Sequence, residues 1–159
     1  MDARRIQGGA GTDRRAILRG AAGVAVTLIP AVALATPEEV EQEIRALFGE
    51  RAIEEGRVVL EIPPLAENGN SVPLTVSVPD SPMTAEDHVR SISVFAEHNP
   101  LPVVGRFFMG PRSGQAEIST RIRLADSQTL LAVAEMSDGS LFKATAETIV
   151  TLAACIDLS

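Results

Sequence analysis

The chain has 159 residues and a formal net charge of −7, with 45% hydrophobic residues, five Phe, no Trp or Tyr and a single Cys. An acidic balance excludes the clustered Lys and Arg that replace counterions along a phosphate backbone, so nucleic-acid binding has no support. One cysteine excludes an internal disulfide framework.

The first 35 residues carry a basic stretch, Asp13-Arg14-Arg15-Ala16-Ile17-Leu18-Arg19, then an apolar run from Ala21 to Leu34, then the small residues Ala33-Leu34-Ala35. These are the charged, apolar and A-x-A parts of a secretory signal. The pair Arg14-Arg15 before Ile17-Leu18-Arg19 resembles the twin-arginine export signal, an address read by a receptor. The apolar run is shorter than the ~20 residues a membrane helix needs, so no membrane attachment is expected after cleavage. Export would place the protein in the periplasm. Cleavage after Ala35 would leave 9 basic and 19 acidic residues, a net charge of −10.

Thr36-Pro37-Glu38-Glu39 combines a capping hydroxyl, a proline at the first helical position and a Glu three residues after the cap. Val40, Ile44, Leu47 and Phe48 follow at helical spacing, and Gly49 offers a stop. A single apolar stripe on a short helix must pack on something larger.

From there the period is two. Val58, Leu60 and Ile62 alternate with Arg57, Val59 and Glu61, and Val72, Leu74, Val76 and Val78 with Pro73, Thr75 and Ser77, with turn residues at Glu67-Asn68-Gly69-Asn70 and Pro79-Asp80-Ser81-Pro82. Pro73 is expected at a strand start or edge, because it cannot donate to a ladder. Ile92, Val94 and Ala96 mark a further strand, Val103 to Met109 another, and Ala116, Ile118, Thr120, Ile122 and Leu124 the cleanest, with Glu117, Ser119, Arg121 and Arg123 toward water. Leu130 to Met136 and Leu141 to Leu152 flank Ser137-Asp138-Gly139-Ser140, a hairpin signal. About seven short strands of this kind predict an immunoglobulin-like antiparallel β-sandwich with one N-terminal helix.

The expected organisation is an export signal over 1–35, a sandwich over 36–152 and an arm over 153–159 that carries Cys155. By itself a lone thiol near the end of the chain is a reactive group, a crosslink to another chain, or a small apolar residue that finishes the last strand. Other chemistry is thin. His88 and His98 stand ten residues apart with no cysteine pair near them, so they are expected to be solvated or capping and not metal ligands. Glu38, Glu39, Glu41, Glu43, Glu54 and Glu55 suit solvated faces, and Met83, Met109 and Met136 suit packing. No Gly-rich loop joins a strand to a helix, so nucleotide binding is unsupported, and no cofactor is expected.

The stretches Ala66-Glu67-Asn68-Gly69-Asn70-Ser71-Val72-Pro73, Asp87-His88-Val89-Arg90-Ser91-Ile92 with Val94-Phe95-Ala96-Glu97-His98-Asn99-Pro100-Leu101-Pro102, Ser119-Thr120-Arg121-Ile122-Arg123-Leu124-Ala125 and Ala134-Glu135-Met136-Ser137-Asp138-Gly139-Ser140 resemble the SoxY family. These are carrier subunits of the periplasmic sulfur-oxidation system. The resemblance implies a non-catalytic carrier that pairs with a SoxZ-like subunit. It holds thiosulfate-derived sulfur covalently on a cysteine in a C-terminal arm and presents it to the enzymes of the system. Cys155 is the matching residue. The family arm reads Gly-Gly-Cys-Gly-Gly, whereas here Ala153 and Ala154 precede the cysteine and Ile156 and Asp157 follow it. Ala and β-branched Ile restrict the backbone and widen the arm, and Asp157 disfavours a thiolate by like charge. A second expectation is therefore a SoxY-like paralogue that serves as a non-carrying structural or interaction subunit.

Overall fold

The computed structural model describes residues 34–153, all within the second of the two units into which the chain divides, Val32–Ser159. Its elements are one helix, α1 (Pro37–Phe48), and nine strands: β1 (Ile53–Glu55), β2 (Val59–Glu61), β3 (Leu65–Ala66), β4 (Val72–Ser77), β5 (Val89–Ala96), β6 (Val103–Phe108), β7 (Glu117–Ile122), β8 (Gln128–Met136) and β9 (Leu141–Val150).

The helix begins where the capping residues place it. Glu39 N–H donates to Thr36 Oγ1 at 3.3 Å while Thr36 N–H donates to Glu39 Oε2 at 3.0 Å, and Gly49 ends the helix at φ 68°. Two orphan amides are satisfied reciprocally at one end, and glycine takes a conformation that other residues resist at the other.

The strands form two sheets. The larger has the order β1-β9-β8-β5-β6, with β3 also on β9, and the smaller is β2-β4-β7. Val72, Leu74 and Val76 of β4, and Val78 just after it, are buried with Ile92, Val94, Leu130, Ala132, Ala134 and Met136 from the large sheet, which closes the main core. Pro73 lies beyond Glu61↔Thr75, the last pair that β2 makes with β4, so on that side no ladder bond is forgone.

The expected sandwich and helix are present, with two features that periodicity did not disclose. First, β5 is buried on both faces: Ser91, Ser93 and Phe95 are as enclosed as Ile92 and Val94. The reason is α1, whose Val40 and Phe48 pack with Phe95, Val133 and Leu141 on the outer side of the large sheet. A strand with two covered faces has no solvent side on which to alternate. Second, the predicted sandwich is antiparallel throughout, but β1 and β3 both join β9 in parallel, at Ile53↔Leu141 and Leu65↔Ile149.

Between those two contacts the chain leaves for the small sheet. Gly56 at φ 109° and Arg57 at φ 56° turn it out of β1, and β2 then pairs with β4. Arg57 holds its left-handed conformation with Nε donating to Asp80 Oδ2 at 2.7 Å and its guanidinium 5.0 Å from the Phe142 ring centroid. Ion pair and cation–π contact together offset the cost of a positive φ at a residue with a Cβ.

Candidate functional site

The last strand delivers the chain to the region where the sequence places its chemistry. Strand β9 starts at the Ser137–Ser140 hairpin, where Gly139 sits at φ 88° and Ser140 N–H donates to Asp138 Oδ1 at 2.9 Å. It then runs ten residues to Val150. Along its first half β1 holds the edge opposite β8, and at its end β3 does.

Beyond Val150 the backbone stays tied down by the segment from Pro63 to Gly69. Ile149 N–H donates to the Pro64 carbonyl at 3.0 Å, Thr151 N–H to the Ala66 carbonyl at 3.0 Å, and Gly69 N–H to the Leu152 carbonyl at 2.8 Å. Side chains reinforce the ladder, since Thr148 Oγ1 donates to the Pro63 carbonyl at 2.7 Å and Thr151 Oγ1 to the Glu67 carbonyl at 2.9 Å. Gly69 is itself held through its carbonyl, which accepts from Leu124 N–H at 2.8 Å. Asn68 Oδ1 accepts from Asn70 N–H at 2.9 Å, the local turn that brings Gly69 into position.

A second loop grips the other side. Val150 N–H donates to Ser127 Oγ at 2.9 Å, and the Ser127 carbonyl accepts from His98 Nδ1 at 3.0 Å. Gln128 Nε2 donates to Asn99 Oδ1 at 3.1 Å, Ala125 N–H donates to the same oxygen at 3.0 Å, and Asn99 Nδ2 donates to the Arg123 carbonyl at 2.9 Å. The network is connected and mostly sheltered, so it fixes backbone geometry more firmly than isolated surface bonds would. Chain position is thus defined up to Leu152.

Of the residues that the sequence singles out, Ala153 is exposed just beyond this clamp. Ala154, Cys155, Ile156 and Asp157 lie outside the described residues, as do Arg14 and Arg15 of the expected signal. His98 belongs to the clamp, and His88 Nδ1 donates to the Thr84 carbonyl at 3.0 Å while its backbone N–H donates to Ser137 Oγ at 3.2 Å. Both histidines close loops through Nδ1, the second of the two expected roles, solvated or capping. Among the described residues no group of three or more His, Cys, Asp or Glu side chains is arranged to hold a metal ion. Met83 and Met136 are core residues, and Met83 sulfur accepts from Ser81 Oγ at 3.4 Å.

The stretches that carry the family resemblance gather at the two ends of β9. Ala66–Pro73, Glu97–Pro102 and Ser119–Ala125 supply the clamp at Val150–Leu152, while Asp87–Ile92 and Ala134–Ser140 meet around Ser137, whose N–H donates to the His88 carbonyl at 2.8 Å. The clamp roles of Ser127, Thr148 and Thr151 escaped sequence reading, which placed them only in a turn and in the last strand. Thr148 carried a signal: it occupies an inward position of β9 between Ala146 and Val150, and a buried hydroxyl at such a position demands a partner.

Comparison with known proteins agrees with this architecture. The family described as "Sulfur oxidation protein SoxY" matches residues 44–155. Among solved structures, the sulfur carrier protein SoxY from Chlorobium limicola f thiosulfatophilum is 32% identical, with a TM-score of 0.60 over 72% of this chain and 98% of that one. A superoxide reductase (neelaredoxin) from Ignicoccus hospitalis is 21% identical at TM-score 0.53, covering 74% of this chain and 94% of its own. A putative superoxide reductase from Thermotoga maritima is 24% identical at TM-score 0.51, covering 62% and 87%. These two likenesses are of fold alone. No match arises among curated proteins. With the family match running over well more than half of the chain and the Chlorobium protein covered almost end to end, the chain belongs to the SoxY family of sulfur-oxidation proteins.

Proposed function

We propose that the protein is a periplasmic sulfur carrier that holds thiosulfate-derived sulfur on Cys155, pairs with a SoxZ-like subunit and presents its cargo to the enzymes of the sulfur-oxidation system. The observation that carries this reading is the family match, which extends to residue 155 and so takes in the only cysteine. The clamp supports it: the fold anchors the backbone up to Leu152, three residues before that thiol. A carrier thiol needs access and an exchange partner, while its enzymes supply the catalysis. A protein partner is supported by Leu101 and Phe108, 73% and 74% exposed at one end and the other of β6, whose outer edge no described strand pairs.

Intact mass of the protein, isolated with its partners from cells supplied with thiosulfate, is the test. A reducible, sulfur-containing addition that maps to Cys155 and is lost in Cys155→Ala is expected. An unmodified thiol, where a glycine-armed SoxY treated in the same way is loaded, sinks the carrier reading. The second reading, a non-carrying subunit of the same fold, would then stand; it is favoured by Ala154 and Ile156 where the family arm has glycine. For export, Arg14→Lys with Arg15→Lys should leave the precursor uncleaved in the cytoplasm. Normal processing of that variant would exclude the twin-arginine route.

A further inference from the structure

At the clamp itself three large apolar side chains face solvent: Leu65 is 55% exposed, Ile149 60% and Leu152 66%. Leu65 and Ile149 are register partners on β3 and β9, so their side chains stand next to each other on the same face of the sheet. Leu152 follows three residues later, with its carbonyl bonded to Gly69 N–H. An exposed apolar pair at Leu65 and Ile149, with Leu152 exposed a few residues further along the chain, marks a contact site on an acidic protein.

We infer that Leu65, Ile149 and Leu152 form the seat for the active-site rim of the enzyme that acts on sulfur held at Cys155, an inference that rests on the carrier reading above. Chain length identifies the occupant. Three residues separate the anchored Leu152 from Cys155, a span of about 10 Å even when fully extended. An enzyme that reaches sulfur on this thiol through an entrance in its surface must bring the edge of that entrance to within the same distance of Leu152. A long tether would let the two bodies stay apart; this one forces them together at Leu65, Ile149 and Leu152. The rim should be apolar and flanked by cations, because Glu147, two residues before Ile149 on the same face, and Glu67 beside the clamp are both exposed carboxylates. The same charges, in a chain of net charge −7, disfavour a second copy as the occupant.

The test uses thiosulfate as the probe. Sulfate formation is followed in an extract of the producing cells that lacks this protein and is supplemented with purified full chain. Leu65→Thr combined with Ile149→Thr keeps strand-forming side chains while it removes apolar surface, and Leu152→Gln does the same outside the strands. Each variant should raise the concentration that gives half-maximal sulfate formation by about tenfold while the rate at saturation holds. Its Cys155 should react with a small disulfide reagent as fast as wild type. Half-saturation unchanged from wild type would overturn the inference, as would a faster thiol reaction, which would mean that the arm and not an enzyme covers the patch. A variant-sensitive monomer–dimer equilibrium would overturn it in favour of a second copy. Cys155→Ala marks the separate failure: sulfate formation at the wild-type rate with that variant removes the carrier reading, and this inference with it.

Discussion

Ser93 is enclosed between the large sheet and α1, yet its Oγ has no hydrogen-bond partner among the described residues. A buried hydroxyl without a partner keeps its desolvation cost and gains nothing in return. Ser93→Ala is therefore expected to raise unfolding stability by about 1 kcal/mol, an uncommon sign for a core truncation, measured by urea denaturation. A loss of stability would mean that the hydroxyl bonds in solution to a group the fold does not now offer it. The hairpin gives a prediction tied to pH. Bonds from the Ser140 hydroxyl and amide, aided by nearby Arg57, hold the Asp138 carboxyl below its ordinary range. A lowered folded-state pKa contributes stability above the unfolded pKa, near 3.9, and loses it as pH falls through the folded value. Asp138→Asn should thus be less stable than wild type at neutral pH, with the gap closing below about pH 4. A gap that persists into strong acid would assign the effect to turn geometry alone. At the neighbouring Gly139, φ is 88° and an added Cβ would meet nothing closer than Arg51 Nη1 at 3.8 Å. Gly139→Ala should therefore lose about 1 kcal/mol for conformation and nothing for crowding.

At the scale of elements, the clamp makes β9 the axis of the molecule. Slow amide exchange is expected at Ile149, Thr151 and Gly69, whose N–H groups all bond across the Pro63–Gly69 segment, and it should be lost together at those three positions when Thr148→Val removes the 2.7 Å bond to the Pro63 carbonyl and weakens the ladder. Fast exchange at Thr151 and Gly69 in the wild type would show that the chain is released before Leu152. Little of this arrangement was legible beforehand, for physical reasons. Leu65-Ala66 is a two-residue strand, too short to have a period, and it pairs in parallel with a strand some eighty positions away, which no local pattern encodes. By contrast β4 and β7 each have one wetter face and one dry, so alternation disclosed them, and the Asp-Gly turn disclosed the β8–β9 hairpin. The helix was readable to the residue because its ends are chemical signals, Thr36 with Glu39 and then Gly49. Strand β5 was found but its second buried face was not, since Ser91 and Ser93 are polar and only α1 above them makes them interior. The site divides in the same way. Cys155 drew attention by being the only thiol, whereas Gly69, Ser127, Thr148 and Thr151, which hold the chain up to Leu152, are ordinary loop and strand types whose role exists only in three dimensions.

At the scale of the whole molecule, the large sheet is a shared wall between two cores, one against the small sheet and one against α1. Phe48, 3% exposed, belongs to the second core and Leu74, 2% exposed, to the first. Removal of either should cost about 2–5 kcal/mol, a large share of the 5–15 kcal/mol typical of a domain. Both clusters are built on the same strands, with Ile92 and Val94 of β5 in one and Phe95 of β5 in the other, so neither can loosen without disturbing the wall. Phe48→Ala and Leu74→Ala are accordingly expected to lower a single cooperative transition and not to create a second one. With no Trp or Tyr in the chain, calorimetry and far-ultraviolet circular dichroism are the suitable probes. Calorimetric and van't Hoff enthalpies should agree for wild type and both variants. If Phe48→Ala instead loses its helical signal well below the temperature at which the sheets melt, α1 is a separately stable attachment, and the outer core does not take part in holding β9 and its clamp in place.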